Sequence, residues 1–176
     1  FEKINFEGSN VYLGHTRLSI LDTSSGGSQP MYSDNKRWLI SFNGEIYNHL
    51  ELRKLLNANF TSSSDTQTLI ELISHFGVED TCLKLNGMFS FCAIDLVNKE
   101  LYLVRDHFGI KPVYYYSYGR DFAFSSEVRF LTKELGIKSN VSSSGIEEFL
   151  STRFVASPNT LLSSIKRVKP GSILKY

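Results

Sequence analysis

Two stretches of the chain, 88–105 and 113–125, each hold two strand-like apolar runs separated by a turn of a few residues, one at Asn98-Lys99 and one near Gly119. A parallel pair needs a crossover of about a dozen residues or more, so both stretches must form antiparallel hairpins. Further strands are predicted at 11–20 and 37–43, with a Gly/Ser loop over 24–30 between them. Helical spacing begins only afterwards. Leu52, Leu55 and Leu56 share one face, preceded by the start signal Asn48-x-x-Glu51. A second helix opens at Ser64-Asp-Thr-Gln67, carries Leu69, Leu72, Ile73 and Phe76 on one side, and stops at Gly77. Two more are predicted over 127–135, stopped by Gly136, and over 145–153, capped by Ser144 with Glu147. Helices grouped between runs of antiparallel strands define an α+β class rather than a doubly wound one.

At 176 residues and 41% hydrophobic, the chain can bury one domain core. Its net charge is +1 with Lys and Arg spread along its length, which gives no nucleic-acid surface. No apolar run approaches the roughly 18 residues of a membrane span. Cys82 and Cys92 make no disulfide framework, and His15, His49, His75 and His107 are scattered, so no metal site is expected. This usage fits a reducing cytoplasm. The chain begins at Phe1 without Met and stops at Tyr176 inside a strand-like run, and it reads as a fragment of a longer protein.

Few residues offer chemistry. Ser25-Gly-Gly-Ser28 lacks the Lys-Ser/Thr of a Walker loop, and Gln29-Pro30 stand where an ATP pyrophosphatase loop has Asp-Ser, so a plain loop is the better reading. No Gly-x-Ser-x-Gly elbow occurs. Asn43-Gly44 follows a strand and precedes a helix. It either turns the chain tightly, or offers a side-chain amide and a backbone N–H as two donors to a developing oxyanion. Arg17, inside an apolar run, either pairs internally or grips a carboxylate bidentately. Asp65, in the first turn of a helix, either complements the helix dipole or binds an ammonium group. Together, Arg17 and Asp65 could bracket an amino-acid zwitterion with Asn43-Gly44 at its side chain.

Six segments then occur in order: GHTRLSILD (14–22), FNGEIYN (42–48), SDTQTLI (64–70), LNGMFSFCAID (85–95), RDHFGIKPVYY (105–115) and FSSEVRFL (124–131). Jointly they closely resemble the glutaminase domain of glutamine-hydrolysing asparagine synthetases, which are class II glutamine amidotransferases. The resemblance covers nearly the whole chain. It implies the N-terminal nucleophile hydrolase fold, a sandwich of two antiparallel sheets flanked by helices (αββα). It makes residues 1–176 one glutaminase domain lacking its nucleophile strand, with 150–176 leading toward a C-terminal synthetase domain.

The resemblance also implies the roles. Asn43 and Gly44 form the oxyanion hole. Arg17 binds the glutamine carboxylate, Leu18, Ile20 and Leu21 line the same pocket, and Asp65 contacts the α-ammonium with Glu45 beside it. Arg105 and Asp106 take no catalytic part, and Gly109 and Pro112 shape a structural loop. No cofactor or metal belongs to this domain; ATP and Mg²⁺ belong to the synthetase domain. The implied partners are glutamine and that domain in the same chain, and a homodimer is allowed. One departure matters. The family's nucleophile is a cysteine at the mature N-terminus, and neither Cys82 nor Cys92 matches it. Residues 1–176 alone are therefore expected not to hydrolyse glutamine. Three readings stay open: an asparagine synthetase-like enzyme, an amidotransferase that amidates a sugar or antibiotic precursor, and a catalytically dead structural or regulatory relic.

Overall fold

The computed structural model describes residues 1–6, 8–16, 25–56, 58 and 60–176. Its centre is a five-stranded sheet in the order β10 (Ser172–Lys175), β6 (Glu100–Arg105), β5 (Gly87–Asp95), β4 (Trp38–Ile46) and β3 (Met31–Tyr32), with every pairing antiparallel. The middle strands are buried on both faces, which explains why β5 is apolar almost without interruption. Alternate side chains of a strand point to opposite faces. Trp38, Ile40, Phe42, Phe89, Phe91 and Ala93 accordingly join one core cluster with Leu69, Ile70, Leu72 and Ile73 of helix α2 (Asp65–Phe76). Short helices α1 (His49–Arg53) and α3 (Val78–Cys82) flank α2.

Leu39, Cys92, Ile94, Leu101 and Leu103 point the other way. They pack with Leu13 and its neighbours from the hairpin β1 (Glu2–Phe6) and β2 (Ser9–Leu13), and with aromatic residues of a sheet ordered β8 (Asp121–Ser125), β7 (Tyr114–Tyr118), β9 (Ile165–Arg167). Helix α2 covers the outer face of the five-stranded sheet and the π-helical turn Phe130–Glu134 packs against β8 of the other, giving an α+β architecture of antiparallel sheets with flanking helices. No helix among the described residues is long and apolar enough to cross a membrane.

Both predicted hairpins form, as β5–β6 and β7–β8. Several boundaries move. β2 ends at Leu13 rather than at 20, with 14–16 irregular and 17–20 outside the described residues. β4 does not end at Asn43; it runs through Gly44 to Ile46, because β5 pairs with it over its whole length. Ser64 caps α2 as predicted, accepting from Gln67 N at 3.2 Å, but the Gln67 carboxamide reaches back to Ser62 N rather than to Ser64. Asn48 precedes α1 without capping it: its side chain bonds Lys84 O and Asn86 N and ties the helix start to the approach to β5. The helix predicted over 127–135 contains a π-helical turn, Phe130–Glu134, against β8. Helix α4 (Ser143–Thr152) is capped by Ser142, not Ser144. The segment 150–176 is built into both main sheets through β9 and β10.

The loop after β6 is organised by one buried carboxylate. Asp106 accepts from Phe108 N and Ile110 N through Oδ1, and from Phe89 N and Lys111 N through Oδ2. Burial opposes its charge, but these four N–H groups hold its pKa below the usual carboxylate value. Arg105 donates to the carbonyls of Gly109, Lys111 and Val168. Gly109, at φ 67°, has no room for a side chain: a Cβ would lie 2.8 Å from Pro170. Both charged groups are spent within the loop and its neighbours, almost wholly on backbone, in agreement with a structural loop.

Candidate active site

The site is assembled on the exposed edge of β4. Residues of an antiparallel strand turn their backbone groups alternately to its two neighbours. Here Arg37 O and Tyr47 N bond toward the β5 side, to Leu96 N and Asn86 O, whereas Trp38 O bonds toward the β3 side, to Ser33 N. The even-numbered residues therefore face the β3 edge. That strand is two residues long and pairs only with Leu39 and Ile40. Beyond it, side chains replace a strand. Gln29 Oε1 accepts from Phe42 N at 2.6 Å, and Asp65 Oδ2 accepts from Ile46 N at 3.0 Å. Gly44 N–H lies between these two donors on the same edge, and no side chain among the described residues caps it. The spacing of alternate strand residues puts it about 7 Å from each.

Gly44 is a glycine for a second reason. Its φ is 154°, and a Cβ there would stand 2.1 Å from Met88 O and 2.6 Å from Phe89 Cα. Gly87, paired with Ile46, is closed in the same way, with a Cβ only 2.2 Å from Glu45 O. The two strands thus approach through a pair of glycines, and the obstacle in each case is backbone.

Asn43 offers its amide on an adjoining surface. Odd-numbered side chains of β4 face the second sheet, where Leu39 is fully buried. Along that face the residues change from Leu39 to Ser41, Asn43 and Glu45, so the space between the sheets becomes polar at this end. Asn43 is exposed and Glu45 half-buried there. His15 Nδ1 lies 3.1 Å from Ser41 Oγ and anchors the chain after β2 to the same face. The N–H edge and the amide-bearing face meet at one corner of the sandwich.

Asp65 brings negative charge to this corner. It is 5% exposed, and none of the ion pairs among the described residues involves it. Burial raises its pKa, against the opposing effects of Ile46 N–H and the charge of His49. His49 cannot neutralise it steadily: burial lowers the imidazole's own pKa, and its Nδ1 is buried with no partner among the described residues. Arg53 is engaged elsewhere, donating to Thr68 Oγ1, Ser62 O and Ser64 O while its guanidinium lies 4.2 Å over the Phe60 ring. It thereby fixes the start of α2. A buried carboxylate held by backbone N–H groups and by no ion pair among the described residues is suited to a cationic ligand group.

The structure brings Asn43, Gly44, Glu45 and Asp65 together. Arg17, Leu18, Ile20 and Leu21 lie outside the described residues. Sequence reading missed Gln29 and Gly87. The loop containing Gln29 is separated in sequence from its strand partner, so no local spacing could reveal the bond. Cys82 and Cys92 are free thiols; burial pushes Cys82 up to about 12, with Glu79 adding to it, and raises Cys92 further. Neither suits a nucleophile, which must be a thiolate.

A family model, glutamine amidotransferase domain, matches residues 2–176. The chain belongs to this family. The amidotransferase domain is 39% identical to asparagine synthetase [glutamine-hydrolyzing] 1 of Bacillus subtilis (strain 168), over 95% of its own length and 26% of the relative's. It is 36% identical to putative asparagine synthetase [glutamine-hydrolyzing] 2 of Methanocaldococcus jannaschii, over 89% of its length and 33% of the relative's. The chain therefore spans about a quarter to a third of these relatives. Among solved structures, the glutamine phosphoribosylpyrophosphate amidotransferase of B. subtilis superposes with a TM-score of 0.64 at 21% identity, covering 92% of this chain and 31% of the other. That likeness is one of fold.

In the amidotransferase domain, Asp65→Asn separates ligand binding from stability. Asparagine keeps an oxygen for Ile46 N–H and removes a buried charge. A carboxyl with a raised folded-state pKa favours folding below its unfolded value, near 3.9, and loses that contribution as pH rises through the folded value. The expected result is an unchanged or higher Tm for Asp65→Asn at pH 7, with the difference shrinking near pH 4, together with loss of binding to an ammonium-bearing ligand. A lower Tm at pH 7 would make Asp65 a structural cap only.

Proposed function

We propose that this chain is the glutaminase domain of an asparagine synthetase-like amidotransferase. It hydrolyses glutamine to glutamate and ammonia, and the ammonia serves the ATP-dependent amidation of aspartate in a separate domain of the same protein. The observation that carries this reading is the β4 edge, where a Gly44 N–H that no side chain among the described residues caps, and the Asn43 amide, stand near the buried Asp65 carboxylate. A short amino acid with a terminal carboxamide fits that order: its ammonium at Asp65, its amide oxygen at Asn43-Gly44. The aspartate acceptor rests on the names of the relatives.

In this reading the nucleophile is an N-terminal cysteine supplied by a segment outside residues 1–176. Its thiolate attacks the carboxamide carbon, and the carbonyl π electrons move to oxygen. Asn43 Nδ2 and Gly44 N–H donate to that oxyanion. The cysteine's α-amine, having taken the thiol proton, delivers it to the departing nitrogen, ammonia leaves, and the glutamyl thioester is hydrolysed by water to glutamate and free thiol. Arg17 would hold the glutamine carboxylate, Leu18, Ile20 and Leu21 would line the pocket, and Glu45 would lie beside the ammonium. ATP and Mg²⁺ act in the separate domain. The free thiols Cys82 and Cys92 fit a cytoplasmic location.

The test is glutamate release from glutamine by the full-length protein, with transfer of amide ¹⁵N into asparagine when ATP, Mg²⁺ and aspartate are present. No glutamate release would overturn the glutaminase reading; release without labelled asparagine would overturn the acceptor. Arg17→Lys in the same protein should weaken glutamine binding by about 1.5–3 kcal/mol, because lysine keeps the charge but loses the planar fork. Ammonia-dependent synthesis should survive. An unchanged glutamine KM would return Arg17 to a structural role.

A further inference from the structure

Gln29 joins the two elements that carry the site. Its Oε1 accepts from Phe42 N at 2.6 Å, and its Nε2 donates to Thr66 Oγ1 at 3.3 Å. Phe42 is buried on β4, two residues before Gly44; Thr66 is buried in the first turn of α2, next to Asp65. One carboxamide thus spans from the oxyanion strand to the helix start that presents the carboxylate. Asp65 closes the same frame from the other side by accepting from Ile46 N. The edge of β4 is pinned at Phe42 and at Ile46, and Gly44 N–H is held midway.

This frame has a physical purpose. A strand edge without a neighbouring strand is free to shift or to pair elsewhere. An oxyanion donor is effective when it is already aimed before charge develops. Clamping the donors on both sides of Gly44 fixes its direction without using its own hydrogen. The clamp through Thr66 also ties the distance between Gly44 and Asp65, hence the length of ligand that can bridge them.

We infer that Gln29 is a positioning residue for the reaction, setting the β4 edge and the first turn of α2 in register so that Gly44 N–H and Asp65 engage one substrate together. This rests on the glutaminase reading above. The test uses the full-length protein with Gln29→Met, which keeps the length and loses the acceptor, Gln29→Glu, which keeps the acceptor, and Thr66→Val, which releases only the helix end.

Misplacing a catalytic group by about 1 Å can cost about 10²-fold. Gln29→Met is therefore expected to lower kcat for glutamine by about 10- to 100-fold, with a smaller change in KM and with ammonia-dependent synthesis retained. Gln29→Glu should recover most of kcat, and Thr66→Val should show part of the loss. Amide hydrogen exchange at Phe42 should quicken in Gln29→Met and stay slow in Gln29→Glu, a readout independent of activity. Normal kcat in Gln29→Met, or a lower Tm with kcat per folded molecule unchanged, would overturn the inference. If Gln29→Met does not fold, normal kcat in Thr66→Val would overturn it. A wild-type protein inactive on glutamine but showing the predicted exchange pattern would instead refute the glutaminase reading and leave the frame as a structural device.

Discussion

Asn43→Ala in the full-length protein is expected to lower kcat for the proposed glutamine hydrolysis by about 10²–10³, while KM moves far less. In the proposed mechanism that loss is one oxyanion donor. An amide that contacts the substrate oxygen mainly once it is charged contributes to the transition state and little to the ground state, so the deficit appears in kcat. The structure supports a small effect on stability. Asn43 is exposed on the polar end of the inter-sheet face, and the strand around it is held by its pairing with Ser90 and by the core on either side. The competing reading, a turn residue, predicts the reverse: a lower Tm with normal kcat per folded molecule. Measuring both quantities on the same preparation decides between them.

Asp106→Asn is expected to destabilise the domain by about 3 kcal/mol or more without any direct part in chemistry. The carboxylate uses both oxygens, each accepting two backbone N–H groups. Asparagine can replace only one oxygen, and its amide would point hydrogens at two of these donors, of which Phe89 N is buried and the loop N–H groups are part-buried. An unsatisfied buried donor costs about 1–3 kcal/mol, and a domain of this size has about 5–15 kcal/mol in total. The pH dependence has a definite sign. Because the folded-state pKa lies below the unfolded one, the stabilisation is present above about pH 4 and is lost as pH falls through the folded value. Wild-type stability should therefore fall in acid more steeply than that of Asp106→Asn. Denaturant unfolding between pH 3 and pH 7, a window set around that unfolded value, measures the difference. A variant within about 0.5 kcal/mol of wild type, the range of ordinary surface substitutions, would show that the loop has another support.

Much of the fold followed from local pattern. The hairpins were legible because a short turn between apolar runs leaves only antiparallel pairing. Helix α2 was legible because Ser64, the periodic leucines and isoleucines, and Gly77 are local signals, with each cap and stop a few residues from what it controls. Where competing contacts won, the local reading slipped. Asn43-Gly44 reads locally as a strand end because Asn-Gly after an apolar run is a turn signal and helical spacing follows it. The structure keeps it in the ladder because Gly44 and Gly87 let two backbones come closer than any side chain would allow. Asn48 looked like a cap, but it is drawn to Lys84 and Asn86 by the approach of a distant segment.

By itself, the sequence determined the antiparallel α+β class, the strands and helices that carry the core, and the chemical identity of Asn43, Gly44 and Asp65 as the groups worth watching. Those follow from periodicity and functional-group chemistry, which are properties of neighbouring residues. Only the tertiary structure decided that Gly44 N–H faces an edge rather than a partner strand, that Gln29 and Asp65 cap the donors beside it, and that Asp65 is buried enough for its pKa to rise. Each depends on which surfaces come together across tens of residues, and hydrogen-bond direction and desolvation are set by that packing rather than by any local run of sequence.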